Sequence, residues 1–180
     1  GNAQDYHIGL DDSADTLVIG KGSALGTTTA MSMDANGIIT QPLKPAFLVQ
    51  ATAVSNLGLN QDHTIAFGTE VFDNNGDFSP NNFTAPVTGK YQFNLSVRLD
   101  ALDDATQYYM VQIRTSNRDI QTIHGMSGYD ADVNYMSLNI SALVDMDAND
   151  TSYAIVGIPS LGSAQADLTT VTRFSGYLVA

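Results

Sequence analysis

The stretch YQFNLSVRL, residues 91–99, alternates without a break. Tyr91, Phe93, Leu95, Val97 and Leu99 share one parity, and Gln92, Asn94, Ser96 and Arg98 the other. Side chains of an extended chain point to opposite faces in turn, so this pattern describes a strand buried on one side only. Few features constrain a fold more tightly, because slipping such a strand by one residue would expose its whole apolar set.

The same signature recurs downstream. Phe47, Val49, Ala51 and Ala53 share a parity in AFLVQATA, Ile65 and Phe67 in HTIAFGTEVF, and Tyr109, Val111 and Ile113 in YYMVQIRTS. YMSLNISALVDM sets Met136, Leu138, Ile140, Ala142, Val144 and Met146 against polar neighbours and Leu143. SYAIVGI and TTVTRFSGYLVA close the chain. No window of a dozen residues carries a 3.6-residue period. About eight short strands separated by turn residues predict an all-β sandwich or jelly roll.

Residues 1–44 differ. They are rich in Gly, Thr, Ser and Asp, with short apolar pulses at Tyr6/Ile8/Leu10, Leu17/Ile19, Met31/Met33 and Ile38/Ile39. Pulses this short cannot bury a core within one chain, but several chains wrapped together could. The expected division is therefore 1–44 and 45–180.

Charge narrows the function. Seven Lys and Arg face nineteen acids, for a formal net charge of −12 over 180 residues. The cations are scattered singly, whereas a phosphate-binding groove needs them clustered. Nucleic acid and anionic lipid are thereby excluded as partners. No apolar run approaches the ~20 residues of a helical membrane span, and GNAQDYHIGLDD does not read as a signal peptide. Without cysteine, thiolate metal sites and Cys catalysis are excluded.

Catalytic constellations are likewise missing from the sequence. There is no G-x-S-x-G elbow, and GKGS at 20–23 lacks the upstream Gly of a phosphate loop. His7, His63 and His124 stand in three separate contexts, and the adjacent Asp103 and Asp104 point apart in an extended chain. DNNGD at 73–77 reads as a Gly turn rather than a calcium loop. The expectation is a non-enzymatic protein. Sequons at Asn82, Asn94, Asn139 and Asn149 matter only in a eukaryotic secretory pathway.

The order of motifs from 45 onward resembles the globular heads of the complement-1q and tumour-necrosis-factor superfamily. PAF opens the segment, then come IAF, NNGDFSPNNFTAPVTGKYQFNLSV, VDMDANDTSYAIV and finally TRFSGYLV. Phe83, Pro86, Gly89, Tyr91 and Phe93 match the central signature F-T-x-P-x-x-G-x-Y-x-F. Phe174, Gly176, Tyr177 and Leu178 match the terminal F-x-G-[FY]-L. One hairpin departs: Asn149 stands where such heads usually have Gly, and Ser152 or Tyr153 where they have Val.

The resemblance implies a ten-strand jelly roll assembling as a homotrimer, with Phe47, Phe83, Tyr91, Phe93, Phe174, Gly176 and Leu178 in its core. It also implies both termini of the head at its base. Loops 100–107, 124–134 and 160–168 then fall at the free apex, and 116–120 and 147–150 at the base. The expected receptor-binding residues are Asp100, Asp103, Asp104, Tyr129, Asp130, Asp132, Gln165 and Asp167. Asp103, Asp104, Asp130 and Asp132 make a candidate calcium (Ca2+) site, the only cofactor expected.

Residues 1–44 are similar to segments preceding terminal heads in bacteriophage tail-fibre proteins, and carry no collagen Gly-X-Y repeat. The two resemblances together imply a phage fibre tip that binds a host cell-surface receptor, glycan or protein, from the virion. Competing readings are a head that only locks a trimer, an extracellular ligand of the animal type, and a depolymerase.

Overall fold

The computed structural model describes residues 4–58, 60–159 and 165–180, and these form strands and turns with no helix. The chain divides into two compact units, Gly1–Lys44 and Pro45–Ala180.

The first unit is an antiparallel meander of β1 (Tyr6–Asp11), β2 (Thr16–Lys21), β3 (Thr28–Met33) and β4 (Ile39–Thr40), in that spatial order. Asp residues stabilise its turns. Asp11 Oδ1 accepts from the Ser13 N–H at 3.1 Å, and Asp34 Oδ1 from the Asn36 and Ile38 N–H groups at 2.9 and 2.8 Å.

The second unit contains β5 (Ala46–Gln50), β6 (Asp62–Thr64), β7 (Thr69–Asp73), β8 (Asn82–Thr84), β9 (Gly89–Leu102), β10 (Tyr108–Thr115), β11 (Asp119–Gly125), β12 (Val133–Met146), β13 (Thr151–Gly157), β14 (Asp167–Leu168) and β15 (Arg173–Leu178). One sheet runs β11-β10-β13-β6, with β8 also on β13. The other runs β12-β9-β15-β5-β7, with β14 also on β9. Face to face they form the expected jelly roll.

The expected parities hold in the long strands. Tyr91, Phe93, Leu95, Val97 and Leu99 are buried, as are Tyr109, Val111 and Ile113. Between the sheets the rings of Phe47, Phe83, Phe93 and Phe174 pack together, with Phe47–Phe83 and Phe47–Phe174 centroids both 5.2 Å apart. Phe83 belongs to the sheet opposite Tyr91 and Phe93, its centroid 5.3 and 5.6 Å from theirs. The Pro86–Gly89 turn thus carries the chain across the sandwich and sets three aromatic rings against one another. Gly176 lies directly between Phe93 and Phe47 on the neighbouring strands. A Cβ there would meet Phe93 Cδ1 at 2.5 Å and Phe47 Cε1 at 2.8 Å, so only Gly leaves room for both rings. Leu178 is half-buried against the same core.

Two expectations need correction. HTIAFGTEVF is not one strand but β6 and β7 joined by residues 65–68. There the chain leaves β13 for β5: the Ile65 N–H still donates to Ala154 O, whereas Ala66 O accepts from Thr52 N–H. Ile65 and Phe67 are buried because this crossing passes through the core. Ala53 is exposed, because β5 ends at Gln50.

The DNNGD segment is the turn expected. Asp73 Oδ1 accepts from Asp77 N–H at 3.1 Å and its Oδ2 from Phe78 N–H at 2.8 Å, while Gly76 takes φ 73°. The three histidines engage three separate partners: Gly22 O, Gly58 O and the Tyr129 hydroxyl.

Candidate functional site

The ends of the Pro45–Ala180 unit follow from the β9–β12 ladder. Its register runs from Met146 opposite Gly89 to Val133 opposite Leu102. The Lys90 N–H donates to Ala180 O at 2.7 Å and the Leu178 N–H to Pro45 O at 3.0 Å, so both termini of this unit lie at the Gly89 end. That base also carries loops 116–120 and 147–150: Asn117 Nδ2 donates to Asp150 Oδ2 at 2.9 Å. The Leu102 end is the apex.

Three segments converge at the apex. Near its apical end β9 passes through Ala101, which takes the left-handed φ of 52°, before ending at Leu102. The following Asp103 N–H donates to the Tyr109 hydroxyl at 2.8 Å, and that hydroxyl donates to Gln165 O at 2.8 Å. The Asp104 N–H donates to Asp132 Oδ1 at 3.1 Å, joining the β11–β12 loop. The Met126 N–H adds a bond to Gln107 O at 3.0 Å. Tyr109 itself is fully buried, and burial pushes its hydroxyl up to about 12, with the Asp103 and Asp132 charges adding to the effect.

One carboxylate oxygen from each of Asp103, Asp104 and Asp132 lies within 4.8 Å of the other two. Asp103 and Asp104 are half-buried and Asp132 is exposed. Among the described residues none of the three forms an ion pair; the Arg partners are Asp100, Asp62, Asp119 and Asp145. Three uncompensated carboxylates with only oxygen donors suit a hard cation such as calcium in ligand type. Part of that capacity is already used, since Asp103 Oδ1 accepts from Ala105 N–H at 2.9 Å.

The other expected residues divide. Asp130 is exposed and stands outside the carboxylate trio. Tyr129 is held over His124, with centroids 5.8 Å apart and the hydroxyl 3.1 Å from Nε2. Asp100 is taken up by Arg98 in a two-pronged pair of 2.7 and 3.1 Å, and the guanidinium lies 5.2 Å from the Tyr135 ring centroid. Asp167 Oδ1 accepts from Asn56 N–H at 2.7 Å, which makes it a loop anchor. Gln165 presents its side chain outward while its carbonyl holds Tyr109. Residues 160–164 of the expected apex loop lie outside the described residues. Sequence reasoning placed Tyr109 only in the core and missed its hydroxyl as the tie beneath the loops. Nothing in the local pattern marks it, because its partner is remote in sequence.

Two sheets closed over an aromatic core, with clustered loops at the end remote from the unit's termini, define a jelly-roll head module. Residues 46–179 match the C1q domain family, and the chain belongs to that family. The globular domain of zebrafish complement 1qA shares the fold at 16% identity and TM-score 0.57, over 76% of this chain and 98% of that one. Murine APRIL, in a crystal structure at pH 5.0, shares it at 13% identity and TM-score 0.53, over 76% and 99%. No protein of curated function matches the sequence.

The hairpin that departs from the resemblance still turns through a left-handed residue. Asn149, standing in the usual Gly position, has φ 76°. Asn is among the few residues with a side chain that tolerate this region.

Proposed function

We propose that this chain is the terminal module of a bacteriophage fibre, and that its C1q domain works as a homotrimer that binds the host cell surface through the apex loops. The observation that carries the reading is the apex itself. Asp103, Asp104 and Asp132 gather there without cationic partners among the described residues, on loops tied from below by Tyr109. Loops on a rigid scaffold commonly carry recognition. Carboxylates accept hydrogen bonds from hydroxyl or amide groups of a glycan or protein, and Tyr129 adds a partly exposed ring nearby. Calcium, held by the three carboxylates, would set the loops further.

The trimer is expected from family membership. The outer face of the β12-β9-β15 sheet also leaves Leu143 and Tyr177 exposed on either side of Gln92. The fibre context rests on the resemblance of residues 1–44 to fibre segments. Individual contacts can be weak, because three per trimer and several fibres per particle multiply them.

Two measurements test this. Light scattering should give about 58 kDa, three times the 19.2 kDa chain. Purified protein should block phage adsorption in a dose-dependent way, and a Tyr129→Ala/Asp130→Ala variant should stay trimeric and block less. A variant that competes as well as the parent removes the apex from the reading. A trimeric parent that neither binds nor competes on the true host leaves the trimer lock as the function.

A further inference from the structure

The first unit has two unlike faces. Residues directly opposite one another across antiparallel strands share a face. The register therefore puts Ile8 beside Ile19, Leu10 beside Leu17, Ile19 beside Met31, Leu17 beside Met33, and Met33 beside Ile39. Tyr6 joins them at the edge, opposite Lys21. One face of the four-stranded sheet is thus apolar from β1 to β4.

The other face is covered by the unit itself. Val18 is buried there, and its cross-strand partner Gly9 has a Leu25 methyl 3.0 Å from where a Cβ would stand. His7, also on this face, bonds Gly22 O at 2.7 Å. The β2–β3 loop therefore folds over this side. Among the described residues the apolar side stays open: Tyr6 is 73%, Ile8 74%, Leu10 77% and Ile39 57% exposed.

We infer that this apolar face is an assembly surface whose occupant is the same face of other copies of the chain. Tyr6, Ile8, Leu10, Met33 and Ile39 are all exposed on this one face, a contiguous apolar patch of the kind that marks an interaction surface rather than scattered single residues. The face is extended and carries one charge, Lys21, at its edge. Its described side chains are mostly apolar, and strand faces of this kind pack on their like about 10 Å apart. Charge placement fits as well. Asp12, Asp15 and Asp34 sit in the turns, and Asp11 lies on the loop-covered side. A strongly acidic chain thus keeps its repelling groups off the one surface where copies would meet.

The inference rests on the fibre reading only for the number of copies, three, whose sheets would close into a prism around a dry axis. Residues 1–44 would then hold the chains together independently of the C1q domain.

The test is photo-crosslinking of the full chain carrying Tyr6→p-benzoylphenylalanine, a change at an exposed aromatic position. Irradiation should give covalent oligomers whose attachment points map to residues 1–44 of another copy. Adducts within one chain, adducts mapping to 45–180, or no adduct would each overturn the inference. A second variant uses the absence of cysteine from the natural chain. Ile8→Cys should react with a maleimide roughly tenfold more slowly than the turn control Asp12→Cys, the protection expected of a covered site. Equal rates in a chain that scatters light as a trimer would sink the N-terminal interface and leave the C1q-domain trimer standing. Equal rates in a monomer would remove both.

Discussion

The hydroxyl of Tyr109 donates to the carbonyl of Gln165 at 2.8 Å while accepting from the Asp103 N–H at the same distance. One buried side chain therefore ties the β9–β10 loop to the segment before β14, directly beneath the carboxylate trio. The hydroxyl is buried with the rest of the side chain, so these backbone groups satisfy its hydrogen bonds inside the fold.

Tyr109→Phe keeps the ring and removes the tie. It leaves a backbone N–H and a carbonyl short of a partner, which costs about 1–3 kcal/mol. Urea unfolding should show this loss, and receptor competition should weaken even though no apex side chain has changed. An unaltered midpoint would show that the loops hold themselves.

The same residue sets an alkaline limit. Its folded pKa of about 12 lies above the unfolded value of 10, so between these values the folded chain holds a proton that the unfolded chain has released. Stability from this source is complete below pH 10 and is lost as pH rises toward 12. Tyr109→Phe should flatten the decline measured by unfolding across that range.

Phe93→Ala and Phe174→Ala should each cost about 3–5 kcal/mol, since both rings are fully buried in the aromatic cluster. Gln92→Ala, on the outer face, should cost little. Gly176→Ala adds a single methyl yet should cost about 1–3 kcal/mol or more, because Phe93 and Phe47 both occupy its space. Equal midpoints for Gly176→Ala and the parent would mean that the rings can move aside.

Ser152 offers the reverse case. It is fully buried opposite Phe83, and its hydroxyl has no hydrogen-bond partner among the described residues. Ser152→Ala should raise stability by about 1 kcal/mol by removing a desolvated group. A loss of stability would mean that the hydroxyl has a partner in solution.

Calcium should raise the melting temperature at fixed ionic strength, because a ligand that binds only the folded state stabilises it. Asp103→Asn/Asp132→Asn should abolish the shift, whereas Asp130→Asn should leave it unchanged. No shift in the parent would leave the trio as turn formers.

The long strands β9 and β12 were legible because each buries one side and turns a polar side outward, and β10 because Tyr109, Val111 and Ile113 alternate with longer polar or flexible side chains that are only half-buried, apart from the buried Gln112. β6, β8 and β14 were not. They are two or three residues long, and their pairing partners, not their own pattern, make them strands. The apex was legible through topology: alternate loops of an antiparallel fold share an end, and this is how Asp103, Asp104 and Asp132 come together. Which Asp joins them was not legible. Asp130 and Asp132 stand in the same short loop, and only the bond from Asp104 N–H selects Asp132. Asp100 and Asp167 looked free in the sequence because their partners, the Arg98 fork and Asn56 N–H, depend on side-chain and chain geometry.

β9 and β12 are each 14 residues long and run together from base to apex, a span of about 45 Å. Hydrogen bonds between antiparallel strands lie perpendicular to them. Pro45 leads into β5, which joins β9 through β15, so a pull on the apex against an anchor there acts along the strands and loads the β5–β15–β9 part of this sheet in shear. Its bonds must then give together, whereas a sideways pull would open them one after another like a zip. The domain is mechanically toughest along the line that joins the loops at its tip to the point where residue 44 enters.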